Sequence, residues 1–508
     1  MCGIAGIIDS KNTLTSIKSI NEFAKFNKFR GPDAYGVETG FLTKNSNFAL
    51  AHHRLSIIDL SEIANQPMSK NSWKIVFNGE IYNFREIKLE LEKNGRIFKS
   101  NSDTEIILEL LELFPVEKAL EKLNGMFAMA AINTLSNEVF LARDRWGKKP
   151  LYYHHDGEHL SFSSDLRSFS TLKKNFTVNQ SGLKYYFSEL SLPQPETIFN
   201  EIYQIKPGYF ATFKDGYFTQ NQYLDLFKTK KNEKFDFQNS SNPSETVKTL
   251  LSSAIESRLN ADVSVGAFLS GGIDSGLIVG LTKQFSENLD TYTVGFDNSK
   301  FDERPFANIV AKKYNTNHHE LLLSSNDVDI EKLIMEFGEP FADSSMIPSY
   351  LISKTVSEYQ KVVLSGDGGD ELFCGNNTFV QAYKFDDFKR KINKIGILSN
   401  FLNLLPFDNA KKIVQLHKKP LFYSGRELNR SMGFQEHELD KLFNGEDSFS
   451  IQSIFESKIS EFSNDNSEIF KNIYNGGIRT RLLNDYLVKI DKTSMYASLE
   501  IRSPFLDD

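Results

Sequence analysis

The second residue of the chain is a cysteine, in Met1-Cys2-Gly3-Ile4-Ala5-Gly6. A small residue after the initiator permits removal of Met1, which would leave a thiol and a free α-amine on one residue. Such an amine has a pKa of about 7.7–8.0, so it can take the thiol proton and serve as base for its own side chain. Alone, a cysteine at this position more often means an inert thiol. Its company changes the odds: Arg30-Gly31-Pro32-Asp33, His53-Arg54-Leu55-Ser56-Ile57, Asn78-Gly79-Glu80-Ile81-Tyr82-Asn83 and Ser102-Asp103-Thr104-Glu105. Free glutamine presents a carboxylate, an ammonium and an amide. A guanidinium suits the first and a carboxylate the second. The amide oxygen becomes an oxyanion under attack, which asks for N–H donors such as an Asn side chain and a Gly backbone. Singly, Arg54 could be a surface ion pair, Asn78-Gly79 a hairpin turn and Asp103 a helix cap. In this order behind Cys2, the residues are better explained together than singly.

A second constellation is built on glycine. Ser270-Gly271-Gly272-Ile273-Asp274-Ser275 follows an apolar run and opens a helix. Glycines let backbone approach a phosphate, and a helix N-terminus supplies oriented N–H groups. Ser270 and Ser275 add hydroxyls, and Asp274 offers an oxygen to Mg²⁺. Neither the Walker A lysine nor GxGxxG spacing is present. Ser365-Gly366-Asp367-Gly368-Gly369-Asp370-Glu371 is a second such turn. Its clustered carboxylates would repel one another unless cations lay between them.

The elements that must position these residues change character midway. Short apolar runs at 48–52, 73–77, 127–132, 138–142 and 159–163 predict strands, with helices at 17–26 and 103–114. A Lys-, Asn- and Ser-rich stretch at about 228–243 reads as a linker. Beyond it, helices at 245–259, 276–285, 304–313 and 346–358 alternate with strands at 264–269, 291–296, 319–323 and 361–364. That alternation predicts a doubly wound parallel sheet with ligands at the strands' carboxyl ends. The region from about 377 to 480 reads as mostly helical.

At 508 residues, 40% of them hydrophobic and 25% charged, the chain predicts at least two ordinary globular domains. A net charge of -7 argues against nucleic acid as a partner. No apolar stretch approaches a membrane span, and no secretory signal is visible. Cys2 and Cys374 are the two cysteines, too few for a disulfide framework; the reading is a cytoplasmic enzyme with reduced thiols. Cys374 reads as a small buried hydrophobe. His52-His53 and His318-His319 read as structural, because neighbours on a strand face opposite ways.

The first constellation resembles the class II, N-terminal-nucleophile glutamine amidotransferase domain over residues 2 to about 215. The resemblance implies an αββα sandwich with Cys2 as nucleophile and Asn78 and Gly79 as oxyanion hole. It also implies a glutamine pocket of Arg54, Leu55, Ser56, Ile57, Asn78, Gly79, Glu80 and Asp103. The second constellation is similar to the ATP-pyrophosphatase fold of the asparagine synthetase family. It is joined there by Tyr292–Phe296, Phe301-Asp302-Glu303, Glu339–Ser345, Lys489–Met495 and Glu500–Asp507. This implies a linker at 216–243 and a doubly wound ATP-pyrophosphatase domain with added helices at 244–508. ATP would be held by Leu269, Ser270, Gly271, Gly272, Asp274, Ser275, Val294, Ser365 and Gly366, and Mg²⁺ by Asp274 and Asp370. Asp367 and Lys492 would be catalytic, Lys492 by stabilising charge during adenylylation. Where the family often places Glu, Asp367 is one methylene shorter, which implies a shifted or water-bridged contact. Relatives usually run on for several tens of residues after the last segment, so a part closing the synthetase site is expected there.

The implied reaction is amidation of an adenylylated carboxylate with ammonia from glutamine. Aspartate is the expected acceptor; a uronic acid in surface-polysaccharide synthesis is the alternative. For aspartate, Arg502 could meet the α-carboxylate, and Asp343 or Asp367 the α-amine. The expected partners are small molecules, with a homodimer left open.

Overall fold

The computed structural model describes residues 1–9, 16–43, 46–172, 175–226, 242–296, 302–323, 328–377, 379–380, 384, 433–434, 436–443 and 474–507. The linker expected at 228–243 and the helical region expected at 377–480 lie almost wholly outside these.

Two antiparallel sheets make the first domain. One runs β10 (Ile202–Gln204), β8 (Tyr152–His155), β9 (His159–Ser163), β1 (Gly3–Asp9), β3 (Ser46–Arg54), β2 (Ala34–Thr43). The other runs β12 (Tyr217–Gln222), β11 (Tyr209–Lys214), β7 (Glu138–Arg143), β6 (Gly125–Asn133), β5 (Trp73–Ile81), β4 (Met68–Lys70). The sheets face each other through Ile4, Ile8, Phe48 and Leu50 on one side and Val76, Ala128, Ala130 and Leu141 on the other. Helix α1 (Ile17–Ala24) covers the first sheet with Ile20 and Phe23. Helices α2 (Phe84–Lys93), α3 (Asp103–Leu113) and α4 (Val116–Leu120) cover the second. The layering is αββα. β1 lies between β9 and β3 and is buried along its whole length, which is why Gly3 to Ile8 are apolar or glycine rather than alternating, with the buried Asp9 closing the strand. Cys2 is thereby fixed at the head of an interior strand.

Three boundaries differ from expectation. β5 continues to Ile81, so Asn78-Gly79 lies inside a strand opposite β6 and not in a hairpin turn. The domain does not stop at 215, because β12 pairs with β11 along Tyr217–Gln222. The first helix ends at Ala24 and tightens into a 3₁₀ segment, Lys25–Arg30.

The second domain is a five-stranded parallel sheet in the order β15 (Asn317–Leu323), β14 (Asp290–Phe296), β13 (Val265–Phe268), β16 (Val362–Leu364), β17 (Glu500–Arg502). Helices α5 (Pro243–Arg258), α6 (Ile273–Thr282) and α7 (Arg304–Tyr314) pack on one face through Ile255, Ile278 and Ala307. Helix α8 (Met346–Val356) covers the other, with Val356 against Tyr292 and Val363. The sheet is doubly wound, and the order reverses between β13 and β16. Ligand crevices form at such switch points, and both glycine turns leave from there. A π-helical stretch, Ile478–Tyr486, runs directly into α9 (Leu487–Tyr496). Among the described residues no helix is long and apolar enough to cross a membrane.

Candidate active sites

Around Cys2 the structure gathers groups that are buried and unused. The Cys2 backbone N–H donates to Asn78 Oδ1 at 3.1 Å, and its thiol points at the Leu55 carbonyl, 4.0 Å away. Asn78 is wholly buried, yet its Nδ2 has no hydrogen-bond partner. Leaving a buried donor unpaired costs about 1–3 kcal/mol, so this Nδ2 calls for a partner, which the oxygen of a bound amide would supply. Glu80, two residues along β5 and therefore on the same face, likewise keeps Oε2 buried without a hydrogen bond. Asp103, the first residue of α3, accepts the Ile81 N–H at 3.0 Å. Burial pushes Asp103 up to about 6. Burial, and then the neighbouring Glu500, raise Glu80 well above the carboxylate range. Two carboxylates destabilised this way stand where an ammonium would relieve both. Burial also raises the Cys2 thiol, which therefore depends on a base to lose its proton.

Gly79 sits in β5 where an added Cβ would lie 2.2 Å from the Met126 carbonyl, so the close strand approach excludes any side chain. Arg54 is buried and well anchored: Nη1 donates to Ser61 O and Asn65 Oδ1, both at 2.8 Å, and Nη2 to the Ile58 and Asp59 carbonyls. A substrate carboxylate would share these donors or displace the 58–61 carbonyls. Leu55 and Ile57 are buried beside Met1, and Ser56 donates its N–H to Asp33 at 2.7 Å.

Met1 closes the boundary between the domains. Its side chain packs with Leu55, Tyr82 and Met126 on one side and Val362 and Met495 on the other. Its ammonium lies 3.4 Å from Glu500 Oε2. While Met1 is present the free amine is its own and the Cys2 nitrogen is an amide, so the thiol has no adjacent base.

The second site is a cleft of about 580 Å³ at the sheet's switch point. Ser270, Asp274, Ser275, Ser365, Gly366, Asp367 and Asp370 line it together, as expected from the sequence. Leu269 is instead core, and Gly271, Gly272, Val294 and Lys492 are not among the lining residues. Gly271 has φ +80 and would press an added Cβ to 2.6 Å from the start of α7, so it shapes the turn from behind. At Gly366 an added Cβ would come within 3.0 Å of Asp274, which keeps the two turns in contact. Burial and then Asp370 and Asp367 raise Asp274; burial raises Asp367 and pushes Glu371 up to about 7. Among the described residues no cluster of three or more His, Cys, Asp or Glu has metal-binding geometry. Asp370 lies close enough to raise Asp274, and carboxylate oxygens are the ligands that a hard divalent cation prefers.

Sequence reasoning missed the cations of this cleft. Lys489 lines it, held by Asp343 Oδ2 at 3.0 Å and Ser345 Oγ at 2.7 Å, with Arg481 nearby on the π-helical stretch. Lys492, one helical turn on, pairs instead with Glu339 at 2.7 Å and donates to Phe337 O at 2.7 Å. Both lysines thus answer acids of the 339–345 loop, and that register of Glu339 and Asp343 against Lys492 and Lys489 was the available signal. Arg502 corrects an expectation outright. It is fully buried at the domain boundary, committed to Glu500, Arg258 O and Asn260 O, and cannot meet a substrate in the cleft. The histidine pairs are structural: His52 bonds Phe77 O, and His318 and His319 bond Thr291 and Asp290. Cys374 is half-buried, less enclosed than expected.

An αββα domain headed by a cysteine strand, joined to a parallel sheet with a nucleotide-type cleft, defines a glutamine amidotransferase coupled to a synthetase. Comparison with known proteins narrows this. Residues 1–224 match the glutamine amidotransferase domain model, and residues 246–508 match that of asparagine synthase. A protein of Methanocaldococcus jannaschii is 34% identical over 425 residues, 78% of this chain and 79% of its own. Asparagine synthetase [glutamine-hydrolyzing] 1 of Bacillus subtilis is 30% identical, covering 100% of this chain and 79% of its own. The chain belongs to the asparagine synthase family, a family of ATP-using ligases.

Proposed function

We propose that the protein makes asparagine from aspartate, ATP and glutamine. In this reading, removal of Met1 gives Cys2 its basic amine. The thiolate attacks the glutamine amide, Asn78 Nδ2 and the Gly79 backbone hold the oxyanion, ammonia leaves with the proton that the amine took from the thiol, and water then cleaves the γ-glutamyl thioester to free glutamate and Cys2. Glu80 and Asp103 take the substrate's ammonium and Arg54 its carboxylate. In the cleft, Ser270, Ser275, Ser365 and Gly366 hold ATP while the β-carboxylate of aspartate attacks the α-phosphorus. Pyrophosphate departs, β-aspartyl-AMP forms, and ammonia displaces AMP. Lys489 and Arg481 supply the cations that the phosphates and the α-carboxylate need, and Asp343 and Asp367 the acceptors for the α-amine. Asp274 and Asp370 would hold Mg²⁺, which neutralises phosphate charge when bound.

The observation that carries the reading is Asn78: one side-chain atom fixes the Cys2 backbone and the other is a buried, unspent donor beside the thiol. The acceptor is tested with purified protein, ATP, Mg²⁺ and ammonia. AMP should appear in step with asparagine when aspartate is the sole acceptor. AMP formation with a uronic acid and none with aspartate would contradict aspartate while leaving the amidotransferase.

A further inference from the structure

Among the described residues, the one side-chain cation facing Glu80 belongs to the other domain. Arg502 Nη2 lies 3.4 Å from Glu80 Oε2, and both side chains are buried. Arg502 cannot drift. Its Nε donates to Glu500 Oε1 at 2.6 Å, and its Nη1 to the Arg258 and Asn260 carbonyls at 2.7 and 2.8 Å. That leaves Nη2, which has no hydrogen bond, aimed at Glu80 Oε2, which has none either. The separation is that of an ion pair with room for a third group to share Glu80. The other charges around Glu80 are Glu500 of β17 and Asp103 of α3, which repel it, and the N-terminal ammonium at the head of β1. Arg258 of α5 sits over the ring of the adjacent Tyr82, 4.1 Å from its centroid.

We propose that Arg502 is a positioning residue for the glutaminase: a synthetase-domain guanidinium that holds Glu80 as the charged partner of glutamine's ammonium. This rests on reading the Cys2 site as a glutaminase. Burial and Glu500 favour the protonated carboxyl, and Arg502 opposes them. Without Arg502 the buried carboxylates Glu80, Glu500 and Asp103 would face one another, and Glu80 would take a proton and lose its hold on an ammonium. The same residue reaches the nucleotide turn, because its backbone carbonyl accepts the Ser365 N–H at 2.9 Å. Ser503, its neighbour, lies 3.3 Å from Ser365, hydroxyl to hydroxyl. β17 therefore touches both sites, and glutamine affinity is set partly from the synthetase side.

The test is glutamine hydrolysis by the full chain without ATP or acceptor. Arg502→Met should raise the KM for glutamine about 10–100-fold, the worth of one charge-assisted contact, with kcat within about threefold. The deficit should shrink as pH rises, since Glu80 then ionises unaided, and Arg502→Lys should recover most of it. Glu500→Gln, which removes the repelling charge but keeps the shape, should shift the KM profile to lower pH, and it serves if Arg502→Met fails to fold. A folded Arg502→Met, or failing that Glu500→Gln, with wild-type KM and wild-type pH profile overturns the inference alone. A wild-type enzyme that hydrolyses no glutamine overturns both the inference and the glutaminase reading.

Discussion

Arg30 and Asp491 form a two-pronged ion pair across the domain boundary, Nη1 to Oδ2 at 2.8 Å and Nη2 to Oδ1 at 3.0 Å. Lys149 adds a second cation at 2.9 Å, and Arg30 Nε donates to the Cys2 carbonyl at 3.0 Å. A synthetase-domain carboxylate thus sets the guanidinium that steadies the residue carrying the thiol.

Removing one member of a buried pair leaves an uncompensated charge and costs about 3–5 kcal/mol. Asp491→Ala should therefore lower urea stability at pH 7 by that order. Burial alone would raise Asp491, but Arg30 and Lys149 hold it far below the usual range. A depressed folded pKa contributes stability above the unfolded value, about 3.9, and loses it as pH falls below that. The gap between wild type and Asp491→Ala in urea titrations should accordingly be full at pH 6 and narrow below about pH 4. A gap that widens on acidification would contradict the assignment.

The two lysines of α9 should separate. Lys489→Met removes the cation facing the cleft and should lower ammonia-driven AMP formation about 10²–10³-fold. Lys492→Met leaves Glu339 without its cation and with only the Tyr152 hydroxyl, 3.0 Å away, so its effect should fall on thermal stability, with synthesis reduced far less. The check is AMP formation and a melting curve on each variant; the reverse ranking would return the catalytic charge to Lys492.

Asp274 and Asp370 should act on the nucleotide half only. Asp274→Asn and Asp370→Asn are each expected to cut Mg²⁺-dependent pyrophosphate release about 10²–10³-fold, with glutamine hydrolysis unchanged. Near-normal pyrophosphate release in both would remove the cleft as the ATP site.

Much of this site was legible because its groups lie close together along the chain. Asn78, Gly79 and Glu80 share one strand, and the two turns each hold their hydroxyls and carboxylates within a few residues. The strands at 48–52, 127–132 and 159–163 were found within two residues of their ends at each side, since apolar runs bounded by turn residues mark interior strands. What escaped was long-range. Arg502 reads as a cleft residue from its motif, yet β17 turns its side chain to the glutaminase. Lys489 and Lys492 are one turn apart on a helix, and only packing against the 339–345 loop decides which one faces the cleft. The β1 strand carries no alternation because both its faces are covered, so its role was read from Cys2 rather than from its pattern.

If two chemistries sit in two domains, Cys2 serves only the first. Cys2→Ala should abolish glutamine hydrolysis and glutamine-dependent AMP formation, while AMP formation with added ammonia stays close to wild type. The measurement is AMP release by the same variant with glutamine and then with ammonia. Loss of both in a folded protein, or retention of glutamine-dependent release, would contradict it.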